Sequence, residues 1–183
     1  MLYSSVVIAL AFSIGVFIIL PTGVVNLLKH VTDSVFWLNF AEGFVRIALF
    51  VIYAWAISFM KEIKTVFQYH GAEHKSIFCY EKGLDLTVEN VRKQSRYHPR
   101  CGTSFMFFMI LLGVFAGLFV KILIPGLDPF AYTGIRLLIL PLVMGLGYEV
   151  IMFSGKHDNL FTRALSAPGL WVQRITTKEP TED

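Results

Sequence analysis

The sequence has 183 residues, of which 55% are hydrophobic and only 16% are charged, with a formal net charge of +3. Its mean hydropathy is +0.63. These values lie far from the average of soluble proteins and predict an integral membrane protein in contact with the lipid bilayer. Nucleic-acid binding is not expected, because the basic residues are interleaved with acidic ones and lie beside apolar segments.

Four apolar tracts follow one another, at about residues 3–28, 35–60, 104–124 and 135–153. Each is near or above the ~20 residues that a helix needs to cross the hydrocarbon core. The first contains Pro21 and Gly23, and it lacks the basic start and the cleavage site of a signal peptide. The sequence therefore predicts an all-α integral membrane protein with four transmembrane helices, plus an amphipathic helix and a short helix in a cytoplasmic loop.

The orientation follows from the distribution of lysine and arginine. Residues 61–102 hold eight of these cations, whereas the turns at 29–34 and 121–134 hold one lysine each. The positive-inside rule places the long loop and both termini in the cytoplasm. We therefore expect a first transmembrane pair (1–60), a cytoplasmic signature loop (61–102), a second transmembrane pair (103–153) and a cytoplasmic interfacial tail (154–183).

A short motif in the signature loop combines two histidines and a glutamate, in the order H-x-x-E-H at residues 70–74. This order is that of the inverted zincin motif, in which two histidines hold zinc and the glutamate handles water. Residues 61–82 have helical periodicity, and His70 and His74 fall in the middle of the apolar stripe, with Glu73 at its edge. Lys75 and Lys82 are expected on the other face.

Two imidazoles that are buried one turn apart need polar partners, and a metal ion would satisfy both. Backbone carbonyls of a neighbouring helix are the metal-free alternative. After a helix end expected near Gly83, Thr87 is a candidate N-cap for a short helix at 88–95.

The turn that follows contains His98 and Cys101, three positions apart, and Arg96 and Arg100 beside them favour the thiolate. The candidate ligands are therefore four, namely His70, His74, His98 and Cys101. Four ligands would make a closed, structural site. Three would leave a position for water, with Glu73 as general base. Glu81 and Glu149 are further candidate ligands.

Outside the loop, structural roles are favoured over catalytic or transport roles. Glu42 and Arg46 are four residues apart and predict an intrahelical ion pair rather than a transport site. Gly113 and Gly117 predict close helix packing. Residues 167–180 are expected to break at Pro168 and to anchor the chain at the membrane surface. The last eight residues are polar and are expected to be frayed.

Three segments of the chain, VFQYHGAEHK, LTVENVRKQSRYHPRCGTSF and PGLWVQRITTKEP, are similar to the signature segments of a bacterial family. They resemble the YqhQ-like membrane proteins, the domain-of-unknown-function 1385 family, whose members are labelled predicted metal-dependent enzymes. The resemblance implies a bacterial inner-membrane protein with the signature loop in the cytosol. It carries over the site positions His70, Glu73, His74, His98, Arg100 and Cys101.

Members of that family usually have an additional glycine-rich N-terminal region, whereas this chain begins directly at its first span. If that region supplies substrate contacts or a ligand, the chain is a short variant, a fragment or one that needs a partner chain.

Two functions are consistent with these residues. The first is a divalent-metal site, with zinc as the expected ion, that supports hydrolysis of a membrane-associated substrate. His70, His74 and His98 or Cys101 would be its ligands, Glu73 its base and Arg100 its oxyanion partner. The second is a non-enzymatic accessory partner of another membrane protein or complex, such as the Sec translocon, with a structural cluster. The sequence leaves open whether the protein is an enzyme.

Overall fold

The computed structural model describes residues 2–157 and 159–181, and helices account for 80% of the chain. No strand occurs among the described residues. The helices are α1 (Leu2–Ile14), α2 (Leu20–Leu28), α3 (Val35–Ile57), α4 (Lys61–Glu81), α5 (Val88–Arg92), α6 (Gly102–Leu123), α7 (Pro129–Lys156) and α8 (Leu160–Thr176). The all-α prediction is confirmed.

Four stretches within these helices are long and apolar enough to cross a membrane, as expected. They are Tyr3–Leu28, Val35–Ile57, Gly102–Leu123 and Phe130–Lys156, with mean hydropathies of 2.4, 1.7, 2.5 and 1.9. No more than 22% of any of these windows is buried inside the protein. So large an exposed apolar surface is unfavourable in water and is typical of a membrane protein.

The first apolar tract remains helical through Pro21 and Gly23. A π turn, Gly15–Ile19, joins α1 to α2 just before the proline. Pro21 has no N–H to donate to the carbonyl of Phe17, and its ring would clash with that carbonyl in a regular helix. The wider π turn accommodates this local conflict, so the chain continues in one direction.

The chain forms two compact units. The first comprises residues up to Phe50 together with Met109–Gly145, and the second comprises Val51–Phe108 with the residues from Leu146 onward. In the first unit, Arg46 and Glu42 form the expected ion pair, with 2.5 Å between Nη2 and Oε1.

The glycines of α6 in the first unit admit side chains of α7. A Cβ atom at Gly117 would lie 2.7 Å from Oη of Tyr132 and 3.5 Å from Cζ of Arg136. A Cβ at Gly113 would lie 4.0 Å from Nη2 of the same arginine. The small residues therefore serve close helix packing, as predicted.

The signature loop begins with α4, which ends as expected before Gly83. This glycine has a φ of +66°, a left-handed conformation that favours glycine at the end of a helix. Thr87 is the N-cap of α5, and its Oγ1 accepts a hydrogen bond from the backbone N–H of Asn90 at 3.4 Å. Helix α5 ends at Arg92 and is shorter than the expected 88–95.

The expected break at Pro168 is wrong, because α8 runs without interruption from Leu160 to Thr176. A capping box between Asn159 and Thr162 starts the helix. Its buried face includes Gly169, where a Cβ would lie 2.6 Å from Cβ of Ser104. Tertiary packing of this kind can outweigh the hydrogen bond that a proline removes from a helix.

The expectation of a frayed tail is also wrong for the described residues up to 181. The backbone N–H of Lys178 donates to the carbonyl of Phe67 in α4 at 2.8 Å. Glu179 forms an ion pair of 2.8 Å with Lys75, which also donates to the carbonyl of Arg92. Lys75 is therefore buried, with an exposed fraction of 6%, instead of lying on the solvent face.

Substitution of Gly71 by alanine is expected to detach this tail. A Cβ at Gly71 would overlap the carbonyl oxygen of Lys178, a backbone atom that cannot rotate away. Alanine normally stabilises a helix relative to glycine by up to ~1 kcal/mol. Here we expect destabilisation by about 1–3 kcal/mol instead, because the site is overpacked.

Thermal unfolding in detergent and proteolysis of the C-terminal segment measure this effect. The matched control is Gly134→Ala in α7, where a Cβ would meet no atom within 4 Å. The prediction fails if the two variants have the same unfolding midpoint and the same cleavage rate.

Candidate metal centre

Three side chains of the second unit converge on one point. They are His70 and His74, one turn apart on α4, and Cys101, which directly precedes α6. One nitrogen of each histidine and Sγ of the cysteine all lie within 4.8 Å of one another. Among the described residues, this is the group of histidine, cysteine and acidic side chains that could hold a metal ion.

Each histidine ring is oriented by a backbone carbonyl. Nδ1 of His70 lies 2.8 Å from the carbonyl oxygen of Thr176, and Nδ1 of His74 lies 2.6 Å from that of Arg96. A carbonyl oxygen only accepts, so both Nδ1 atoms carry a proton. In the neutral rings Nε2 therefore holds the free lone pair, and metal-binding histidines are commonly oriented in this way.

The spacing of the three atoms suits a small divalent cation. Zinc binds nitrogen at about 2.05 Å and sulfur at about 2.3 Å, so tetrahedral ligands lie roughly 3.3–3.6 Å apart. Nε2 of His70 lies 3.1 Å from Sγ of Cys101, and the largest separation in the group is within 4.8 Å. The observed range brackets the required one, so small side-chain rotations would complete the site.

The electrostatics favour a thiolate at Cys101. Burial alone would raise its pKa, but hydrogen bonds from His70, His74 and Thr103 lower it from 9.0 to about 5. The hydroxyl of Thr103 lies 3.2 Å from Sγ. The hydrogen bond with Cys101 in turn raises the pKa of His70 above its usual value, and the opposing effect of burial is smaller. Without metal, the pair therefore favours thiolate and imidazolium.

The structure does not bring His98 into this group, although its ring centre lies 5.8 Å from that of His74. Nε2 of His98 lies 3.4 Å from Oε2 of Glu81, and Nδ1 accepts from the backbone N–H of Arg100 at 3.2 Å. Both ring nitrogens are thus engaged elsewhere. Burial lowers the pKa of His98, which favours its neutral form.

Arg100 and Glu81 form an ion pair beside His98. The arginine side chain packs against Gly155 of α7, where any Cβ would overlap it. Its Nε is buried and has no hydrogen-bond partner among the described residues. The candidate oxyanion partner is therefore held by Glu81, and one buried N–H of its guanidinium has no partner among the described residues.

The remaining acidic candidates lie outside the group. Glu73 is exposed at the residue before His74, and its negative charge is close enough to act on His70. Glu149 of α7 is exposed and is not one of the converging side chains. A role for Glu73 as base stays a prediction that rests on this proximity.

Sequence reasoning missed the residue that shapes the turn. Gln173 of α8 is fully buried, and its side chain pairs with both backbone groups of His98. Oε1 accepts from the His98 N–H at 2.8 Å, and Nε2 donates to the His98 carbonyl at 2.7 Å and to Oγ of Ser104 at 3.0 Å. A glutamine on the apolar face of an amphipathic helix was the available signal.

Comparison with known proteins identifies the family of the chain. The profile of a family described as "Protein of unknown function (DUF1385)" matches residues 1–183. "Uncharacterized protein YqhQ" of Bacillus subtilis (strain 168) is 42% identical over 183 residues, which cover 97% of this chain and 55% of the relative. The chain thus spans about half the length of that relative. No solved structure matches significantly. The match over its whole length shows that the chain belongs to the DUF1385 family.

Proposed function

We propose that the protein is a metal-dependent hydrolase of the bacterial inner membrane, with a zinc-type cation held by His70, His74 and Cys101. One observation supports this proposal above the others. One ring nitrogen of each histidine and the thiol of Cys101 converge within 4.8 Å, while both Nδ1 atoms are held by backbone carbonyls. In a chance cluster of polar residues, two imidazole rings are not expected to be oriented toward the same point.

The number of ligands bears on the chemistry. Three protein ligands are typical of catalytic zinc sites, which keep a fourth position open, whereas structural sites use four. A cation at this position would supply Lewis-acid activation of water and of the scissile bond. Glu73, exposed beside His74, is proposed to accept the proton of the attacking water.

The substrate is proposed to be membrane-associated and anionic. Arg100 is the cation proposed to meet an oxyanion, because it directly precedes the ligand Cys101 in the turn. The excess of lysine and arginine in residues 61–102 supports a cytoplasmic position for this site, with both termini on the same side. An apolar chain on the substrate would remain in the bilayer.

Elemental analysis of the full chain tests the metal. Protein purified in neutral detergent without chelator is expected to contain about one equivalent of zinc, because His/Cys donor sets bind zinc tightly at pH 7. Less than about a tenth of an equivalent, with none regained after zinc dialysis, would contradict the proposal.

The Glu73→Gln variant separates catalysis from binding. We expect it to keep its zinc and its unfolding temperature, because Glu73 is exposed and lies outside the ligand group. Hydrolysis of lipid-linked ester, amide and phosphoester substrates is expected to fall about 10²–10⁴-fold, the usual contribution of a positioned general base. Full activity would remove Glu73 from the mechanism. Glu62→Gln on the same helix is the matched control.

A second function is favoured by burial. His74 and Cys101 have exposed fractions of only 3% and 5%. A site so enclosed suits a structural cation that fastens the signature loop, and the loop would then dock another membrane protein. In that case Glu73→Gln would leave partner capture from crosslinked membranes unchanged, and the substrate panel would give no hydrolysis above that of a chelated sample.

A further inference from the structure

A different cluster of charges lies in the first unit, within helices that are apolar enough to span a membrane. Its members are Glu42 and Arg46 of α3, Lys121 of α6 and Arg136 of α7. They lie within electrostatic reach of one another. Three cations against one carboxylate leave an excess of two positive charges. Such an excess is costly within a membrane unless an anion neutralises it.

The contacts within the cluster leave donors unused. Arg46 donates to Glu42 at 2.5 Å, Arg136 donates to the carbonyl of Gly113 at 3.3 Å, and Lys121 donates to Oδ1 of Asn39 at 3.2 Å. A guanidinium carries five N–H donors in a planar fork, and an ammonium carries three. Both arginines therefore have the capacity to bind a further acceptor.

A cavity of about 300 Å³ adjoins the two arginines. Arg46 and Arg136 supply its polar wall, and the remaining lining is small or apolar: Met109, Ile110, Gly113, Ala116, Ile139, Leu140 and Val143. This volume is at the lower end for sites of small ligands. Two guanidinium groups beside an apolar wall are complementary to a ligand with an anionic head and a hydrocarbon body.

The architecture keeps Arg136 in place. The two glycines of α6, Gly113 and Gly117, lie against its side chain, and Tyr132 packs beside it with 5.5 Å between ring centre and Cζ. Arginine forks bind the tetrahedral oxygens of phosphate in a bidentate manner, which lysine does not. A pair of arginines at a cavity therefore selects for phosphate over a simple monovalent ion.

We propose that this cavity binds a phosphate group carried on an apolar chain, as in an anionic lipid. The site is separate in its residues from the metal centre, and the inference does not depend on the proposed hydrolase. Free phosphate shares the same head-group chemistry. The apolar lining favours the lipid, because free phosphate would gain nothing from it and would lose hydration.

Native mass spectrometry of the full chain in neutral detergent tests the proposal. The probes are phosphatidic acid and diacylglycerol with identical acyl chains, which differ only in the phosphate. We expect phosphatidic acid to bind at least about tenfold more tightly, as the loss of a charge-assisted hydrogen bond would predict. Equal binding of the two lipids would overturn the proposal.

Two substitutions locate the site. Arg136→Gln is expected to weaken binding of phosphatidic acid by about tenfold, whereas Lys29→Gln, which removes a charge outside the cavity lining, should change it by less than about twofold. Ala116→Leu fills the apolar wall without altering charge and should also weaken lipid binding. Should Arg136→Gln and Ala116→Leu both bind as the wild type does, the cavity is not the site.

Competition with sodium phosphate distinguishes lipid-borne phosphate from free phosphate as the ligand of the cavity. If excess phosphate leaves the lipid bound, the lipid-borne phosphate is the occupant, as proposed. If it displaces the lipid from the wild type and also binds to Ala116→Leu, free phosphate is the occupant and the apolar chain is not recognised. Melting temperatures of each variant in detergent verify that it is folded. Leu140→Met, a volume-conserving change in the same lining, is the folded control for Ala116→Leu and is expected to bind the lipid as the wild type does.

Discussion

Replacement of Cys101 by serine is expected to reduce bound zinc from about one equivalent to below about a tenth. Serine keeps the size of the side chain but loses the thiolate, which is the strongest of the three donors for zinc at neutral pH. The low pKa of Cys101, about 5, means that the wild type presents this thiolate without first paying for deprotonation. The two histidines alone would hold zinc weakly.

Cys79→Ser is the matched control, because Cys79 is the other buried cysteine and donates to the carbonyls of Leu84 and Asp85. It should keep its zinc. His98→Asn extends the test, since its zinc content is expected to stay near that of the wild type if three ligands bind and to fall if His98 is the fourth. A Cys101→Ser protein with a full complement of zinc would place the metal at another site and contradict the proposed centre.

Substitution of Gln173 by leucine is expected to destabilise the second unit by roughly 3 kcal/mol or more. Leucine has a similar volume, but it would leave the backbone N–H and carbonyl of His98 buried without partners. Each such group costs about 1–3 kcal/mol. For a chain of this size, the unfolding midpoint should fall by roughly 6–12 °C.

Thermal unfolding in detergent measures the effect, and Gln68→Leu is the control. Gln68 makes one exposed hydrogen bond, to the carbonyl of Glu179 at 3.3 Å, so its loss should shift the midpoint only slightly. The zinc content of Gln173→Leu is expected to fall as well, because the turn that ends at Cys101 would lose its support. Equal shifts for the two leucine variants would contradict this assignment.

The helices could be predicted because each depends on neighbours in sequence. Four apolar tracts of sufficient length have few alternatives to a helix, since an apolar environment offers no water to the backbone. Gly83 follows the end of one helix and Thr87 caps the start of the next, and both act through local geometry that the sequence predicts. The predicted break at Pro168 is wrong because packing of Gly169 on Ser104, which no local rule contains, opposes the local signal.

The metal centre was partly predictable for the same reason. Helical periodicity put His70 and His74 on one face, and their spacing alone implies convergence. The orientation of their rings could not be foreseen, because it comes from the carbonyls of Arg96 and Thr176, 22 and 106 residues away. Lys75 is predicted to face solvent because its partner Glu179 lies 104 residues away along the chain.

The carbonyl of Thr176 belongs to the last turn of α8, immediately before the segment that crosses α4. A ligand that needs the Nε2 lone pair of His70 thus benefits from the same hydrogen bond that holds this end of the chain. By thermodynamic reciprocity, the two effects are equal. A ligand bound by the three side chains must stabilise the docked C-terminus, and release of the C-terminus must weaken the binding of that ligand. The position of the C-terminal segment therefore influences the affinity of the centre for its ligand.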